Sequence, residues 1–113
     1  MKKVFFGFAL ADSMFAGNCN ISRTVMSPDE IRAIEASVES CCNPSHAATI
    51  EAMRTRFQIN VAIPESPPKV SLEMGDSIIV MGVRGLPRLT DRHEYNEQEI
   101  AQATFSFAKY TVN

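Results

Sequence analysis

The run Ser77-Ile78-Ile79-Val80-Met81-Gly82-Val83 is the most hydrophobic strand candidate in the chain, and it constrains everything around it. A strand apolar on both faces must lie inside a sheet, with neighbours on each side and cover on both faces. The turn before it is Met74-Gly75-Asp76, where Gly75 supplies a positive φ. Neighbours are available along the chain. Val4 to Leu10 is a continuous apolar run rich in aromatics, suited to a buried pleated surface. Ile21 to Met26 alternates like an edge strand, and Gln58 to Ile63 and Lys69 to Leu72 read as further strands. Phe105 to Val112 closes the chain as a strand rich in aromatic and β-branched residues.

Helix signals interrupt these strands. Ser27-Pro28-Asp29-Glu30 combines an N-cap serine, proline at N1 and glutamate at N3, with Ile31, Ile34 and Val38 as the apolar stripe. Asn43-Pro44 opens a second helix by the same logic, with Ile50, Met53 and Phe57 on one face and Ala47 beside them. Asn96 and Glu99 start a short third helix through about Ala103. Between the first two strands, Asp12 to Asn20 reads as a loop broken at Gly17-Asn18. Strands and helices mix without a regular βαβ repeat. The fold class is therefore α/β in the broad sense (α+β), a mixed β-sheet of about five strands flanked by helices, in one domain spanning residues 1–113.

Composition narrows the function classes. Eleven Lys and Arg stand against 13 Asp and Glu, a net charge of −2. That balance does not suit duplex nucleic acid held by counterion release. An anionic ligand would have to be small and gripped locally. No apolar run approaches the ~18 residues a spanning helix needs, so no membrane partner is expected. Met1-Lys2-Lys3 followed by Val4 to Ala11 mimics a signal peptide, but the run is short and the chain would lose a good strand. With three cysteines, two of them adjacent at Cys41 and Cys42, the expectation is a reduced, cytoplasmic chain.

The strongest chemical clue is His46, placed by the Asn43-Pro44 start at about N3 of the second helix. A helix mouth offers unpaired N–H groups and the positive end of its dipole, a ready site for phosphate. An imidazole there can donate a proton to the same anion, and Ser45 and Thr49 add hydroxyl donors. The same histidine also reads as a plain cap or a solvated side chain, and both readings stand. Arg84 and Arg88 in Arg84-Gly85-Leu86-Pro87-Arg88 put guanidiniums at the end of the central strand, suited to phosphate or to an ordinary solvated turn. His93 reads as a solvated loop residue. Cys41-Cys42 with His46 lacks the separated ligand pairs of a structural zinc site, so no metal and no cofactor is expected. A cysteine nucleophile paired with the histidine is weaker than the reading of two small buried side chains. Gly75, Gly82 and Gly85 do not form a phosphate-cradling pattern with a following helix.

The chain resembles the viral ring nucleases, the type III anti-CRISPR family of small proteins from archaeal viruses, phages and mobile elements. The resemblance rests on Lys3-Val4-Phe5-Phe6, Ser45-His46-Ala47-Ala48-Thr49-Ile50, Val70 to Val80, and the strand Phe105 to Val112, in that order and spacing. It implies a mixed sheet with flanking helices, a homodimer with its ligand site across the subunit interface, and metal-independent cleavage of cyclic tetra-adenylate. In that scheme His46 is the general acid and Arg84 stabilises charge on the phosphoryl oxygens. The sequence departs from the family at Arg84-Gly85-Leu86-Pro87-Arg88-Leu89, which lacks the family's glutamate. Phe8 and Ala11 stand where relatives carry polar residues, leaving Asp12 and Ser13 as candidates for ligand contact. These departures suit a smaller messenger as well, such as a cyclic dinucleotide of CBASS-type defence. The expected function is an immune-evasion phosphodiesterase, anti-CRISPR or anti-CBASS, acting in the host cytoplasm. A non-catalytic sponge that sequesters the messenger ranks second, and a structural protein with an incidental histidine third.

Overall fold

In a computed structural model the chain is described over residues 3–66, 68–86 and 95–113. Five strands form a single mixed sheet: β1 (Val4–Gly7), β2 (Ile21–Met26), β3 (Glu39–Ser40), β4 (Ser77–Arg84) and β5 (Thr104–Val112), in the order β2-β5-β4-β1-β3. β1 runs parallel to both β3 and β4, while β5 lies antiparallel to β4 and to β2. The three helices are α1 (Pro28–Ile34), α2 (Ala47–Phe57) and α3 (Glu97–Gln102).

The local signals act where they were expected. Ser27 accepts from the Glu30 N–H, and Glu30 returns a bond to the Ser27 N–H at 2.9 Å, closing a capping box with Pro28 behind it. Asn96 and Glu99 form the same reciprocal pair at the start of α3. Each such cap contributes about 1 kcal/mol by satisfying N–H groups that the helix cannot pair itself. Gly75 takes φ 90° in the turn before β4, and β2 is an edge strand.

Alternation divides the core between the sheet's two faces. Phe6, Ile79, Met81 and Phe107 point to one face, where Ile31, Ile50 and Met53 of the helices meet them. Phe5, Ile78 and Val112 point to the other, covered by Val70 and Leu72 with Met14 and Phe15 packed alongside. β4 is thus buried on both faces through its first half, as its composition required. Ser77 is a buried polar residue on that strand, and its hydroxyl shares a 2.9 Å hydrogen bond with Thr111 on β5. The second face is covered incompletely: Val25 on β2 is 66% exposed and Ile21 46%.

Several expectations needed revision. The first strand ends at Gly7, three residues before Leu10, and Leu10 is exposed. Residues 58–63 join no ladder, and Gln58 at their head is the left-handed C-cap of α2, with φ 55°. Ile59 and Val61 are buried on the helix face, so their alternation records packing without strand pairing. Residues 69–72 contribute only an isolated bridge from Leu72 to Phe15. The loop after β1 contains a 3-10 turn, Asp12–Met14. Glu39–Ser40, too short to give a sequence signal, pairs with Phe5 and Phe6 as the second sheet edge.

Candidate functional site

Because β1, β3 and β4 are parallel, their carboxyl ends open on one rim of the sheet, the usual place for ligand sites in open α/β sheets. β3 leads through Cys41 and Cys42 into α2 on that rim. The helix does not begin at Asn43-Pro44 as expected. Pro44–His46 forms a 3-10 turn, closed by the His46 N–H on the Asn43 carbonyl at 2.9 Å, and α2 proper starts at Ala47. His46 is therefore the N-cap of α2, with φ −99° and ψ 15° and no capping bond from its side chain. Proline at the start favours the tighter first turn, which delays the α-helix by a turn.

This placement leaves the imidazole free for other work. Its ring makes an edge-type contact with the ring of Phe8, at 4.5 Å between centroids and 60° between planes. Phe8, which follows β1 directly, packs on the helix-face core and so ties the ring to the sheet. The first turn of α2 holds no acidic residue, while Arg54 and Arg56 occupy its last turn. Within that turn no carboxylate offsets the helix field at His46, the condition under which an anion is favoured. Thr49 is half-buried in the first turn, and Ser45 lies within the preceding 3-10 turn.

The other candidates are placed differently. Asp12 and Ser13 are exposed in their 3-10 turn, and that turn is tied to the second face by the Leu72 N–H on the Met14 carbonyl at 2.7 Å. They leave the same rim as His46 but on the opposite side of the sheet. Arg84 ends β4 opposite Thr104. β1 stops at Gly7, which pairs with Val80, so Arg84 lies about 13 Å further along the β4 axis, beyond the end of β1. Alternation from Ile78 turns its side chain to the incompletely covered face. One protomer therefore does not bring Arg84 beside His46. Arg88 and His93 lie outside the described residues.

The adjacent cysteines have a structural role. The Cys41 N–H and both thiols converge on the Phe6 carbonyl, at 2.9 Å for the N–H, 3.2 Å for the Cys41 thiol and 3.6 Å for the Cys42 thiol. Burial pushes the Cys41 thiol up to about 11, helped by the neighbouring Cys42. Burial also raises Cys42. Neither is poised as a thiolate nucleophile. All three cysteines are free thiols. Among the described residues no group of three or more His, Cys, Asp or Glu is gathered to hold a metal. No helix among them is long and apolar enough to cross a membrane.

Sequence reasoning missed the part played by Phe8, which had registered only as the loss of a polar residue. An aromatic directly after a buried strand, facing a helix start, was the available sign.

No protein-family model matches the chain, and no curated protein matches it. Among solved structures it is similar to B116 of Sulfolobus turreted icosahedral virus (STIV). The TM-score is 0.67 at 17% identity, covering 96% of this chain and 98% of that one. The match runs nearly end to end on both sides, so this chain shares its overall fold with that viral protein.

Proposed function

We propose that the protein is a viral anti-defence phosphodiesterase that opens a small cyclic oligonucleotide messenger without a metal, with His46 as general acid. The observation that carries this reading is the position of His46. It is an exposed N-cap at a helix mouth without acidic residues, and its ring is held against Phe8 at 4.5 Å. A phosphodiester resting at the mouth meets the helix field and the imidazole together. The adjacent ribose 2′-hydroxyl attacks phosphorus in line and loses its proton to solvent. The bond from phosphorus to the 5′-oxygen breaks, and His46 protonates that departing oxygen. The products are a 2′,3′-cyclic phosphate and a free 5′-hydroxyl. The resemblance to viral ring nucleases supports the substrate class, and the likeness of fold to a viral protein accords with it.

The reading includes a homodimer working in the host cytoplasm. The exposed side chains of Ile21 and Val25 on the incompletely covered face are a surface that a second copy would bury. A second protomer would also offer a route for an arginine to reach a phosphate held at α2.

Sequestration without cleavage is favoured by one observation, the separation of Arg84 from His46 within a protomer. Incubation with cyclic tetra-adenylate and a panel of cyclic dinucleotides in EDTA, followed by product analysis, separates the two. Linear products ending in 2′,3′-cyclic phosphate support cleavage. Intact ligand recovered after denaturation supports sequestration. Neither outcome with any member of the panel rejects both.

A further inference from the structure

Ile50, Met53 and Phe57 of α2 pack on the sheet core. Ala48, Ala52 and Thr55 lie roughly opposite them around the helix, on the side where a surface helix ordinarily carries charge. α3 meets α2, and the two helices leave a groove between them. Its floor is the buried pair Ala52 and Ile100, and its two hollows, about 220 and 300 Å³, share Thr55, Glu97 and Ile100. From Ala48 to Thr55 the groove follows α2 for about 10 Å, two turns of helix. The charge on it is one-sided. Glu51 of α2 and Glu97 of α3 line the first hollow together with Tyr95. Among the described residues Glu97 has no ion pair, and Glu51 shares only a half-exposed contact with Arg54 at 3.3 Å. Arg56 lines the second hollow, but its guanidinium is committed elsewhere. It donates to the Ile100 carbonyl at 2.9 Å and to the Ala103 carbonyl, and it lies over the rings of Phe57 and Phe105.

We propose that the groove between α2 and α3 docks a basic amphipathic helix of a partner protein, its apolar side chains over Ala52 and Ile100 and a Lys or Arg side chain between Glu51 and Glu97. Two helix walls over an apolar floor are the setting in which an amphipathic helix lays down its anchors at successive turns. The small side chains of Ala48 and Ala52 let that helix come close. The two carboxylates set the sign of the partner, since they attract a cationic flank and repel an acidic one or a phosphate backbone. They also disfavour a second copy of this chain. The same groove on another copy would oppose like charges, and α1 carries Asp29 and Glu30 against Arg32 alone. The assignment does not rest on the nucleotide reading, because none of the residues that line the groove is assigned to the phosphodiester.

The test is an amide-resolved NMR titration of the full chain with a Leu–Lys amphipathic peptide of about three helical turns. A Leu–Glu peptide of the same pattern and free spermidine serve as comparisons. The Leu–Lys peptide should give saturable shifts at Ala48, Ala52, Ile100 and Ala101, and the Leu–Glu peptide none. Glu51→Gln and Glu97→Gln should each weaken binding two- to fivefold, and the double variant about tenfold, with a shallower dependence on salt. Ala101→Lys, at an exposed position of the second hollow, should weaken it about tenfold by reversing the local charge. Cyclic-nucleotide cleavage should be the same in all these variants. Equal binding of the two peptides, or Leu–Lys binding that ignores the glutamate substitutions, would overturn the proposal. Shifts at the same amides with spermidine as strong as those with the peptide would also overturn it, in favour of a free polyamine. Shifts that follow protein concentration without peptide would overturn it in favour of a second copy.

Discussion

The imidazole of His46 and the ring of Phe8 form an edge-type pair, with centroids 4.5 Å apart and planes at 60°. The contact joins the residue that caps α2 to the residue that leaves β1, so the sheet itself sets the orientation of the candidate acid. Edge-to-face pairs of this kind contribute about 0.5–1.5 kcal/mol beyond simple burial. Phe8→Leu keeps most of the buried apolar area and removes the contact. Cleavage of the cyclic substrate should fall about three- to tenfold, with a loss of stability near 1 kcal/mol by denaturant titration. Unchanged turnover would show that Phe8 does not orient the histidine.

His46→Ala addresses the chemistry directly. Loss of general-acid help should slow cleavage by roughly 10²–10⁴ while ligand affinity stays nearly constant. His46 makes no capping bond with its side chain, but the variant also loses the ring contact with Phe8, so stability should fall by about 0.5–1.5 kcal/mol. Single-turnover cleavage and calorimetric binding on the same preparation separate the two effects. Near-wild-type turnover removes His46 from the mechanism.

Asp76 couples the fold to pH. Its buried carboxylate accepts the Lys3 N–H at 2.9 Å and the Glu73 N–H at 3.0 Å, fastening the start of β1 to the turn before β4. Those two backbone bonds, the Lys3 bond foremost, hold its carboxyl below the ordinary value of 3.8. The stabilisation is therefore fully present above about pH 4 and is lost as pH falls through the folded-state value. Asp76→Asn leaves one N–H without an acceptor, at a cost of about 1–3 kcal/mol at neutral pH. Stability of the variant should vary less steeply with acidity below about pH 4, measured by urea titration across pH. An unaltered acid slope would mean that another carboxylate governs acid unfolding.

Gly7 and Cys41 form a steric pair. A Cβ on Gly7 would approach the Cys41 Sγ to 2.8 Å, while that sulfur is bonded to the Phe6 carbonyl. Gly7→Ala should destabilise by about 1–3 kcal/mol through overpacking. Adding Cys41→Ala should recover part of that loss, a coupling that a double-mutant cycle measures. Strict additivity would place the strain elsewhere.

Thiol labelling follows from the same packing. Cys19 is exposed, while Cys42 is buried and Cys41 is held up to about 11. Iodoacetamide at pH 8 should modify Cys19 first, and Cys41 and Cys42 only in denaturant, as read by peptide mass mapping. Equal labelling in the native state would contradict the role assigned to the Phe6 carbonyl.

The chain's own order of residues determined whatever depends on neighbours three or four positions away. The capping boxes at Ser27 and Asn96 need only a hydroxyl or amide and a glutamate within one turn, and both formed. The positive φ at Gly75 and the double-sided burial of β4 were legible for the same reason: each is a property of one short segment. Partners chosen across the chain were not legible. Ile59 and Val61 alternate like a strand, yet both are buried in the helix-face core beside Ile50 and Met53 and join no ladder. Glu39–Ser40 pairs only because Phe5 and Phe6 present an unpaired edge. His46 was legible as a residue at a helix start, but its place as the N-cap against Phe8 was settled when the 3-10 turn after Asn43 met the end of β1. The face on which Arg84 lies was decided by the register of β4 and β5, since a single step of register would have turned it to the helices.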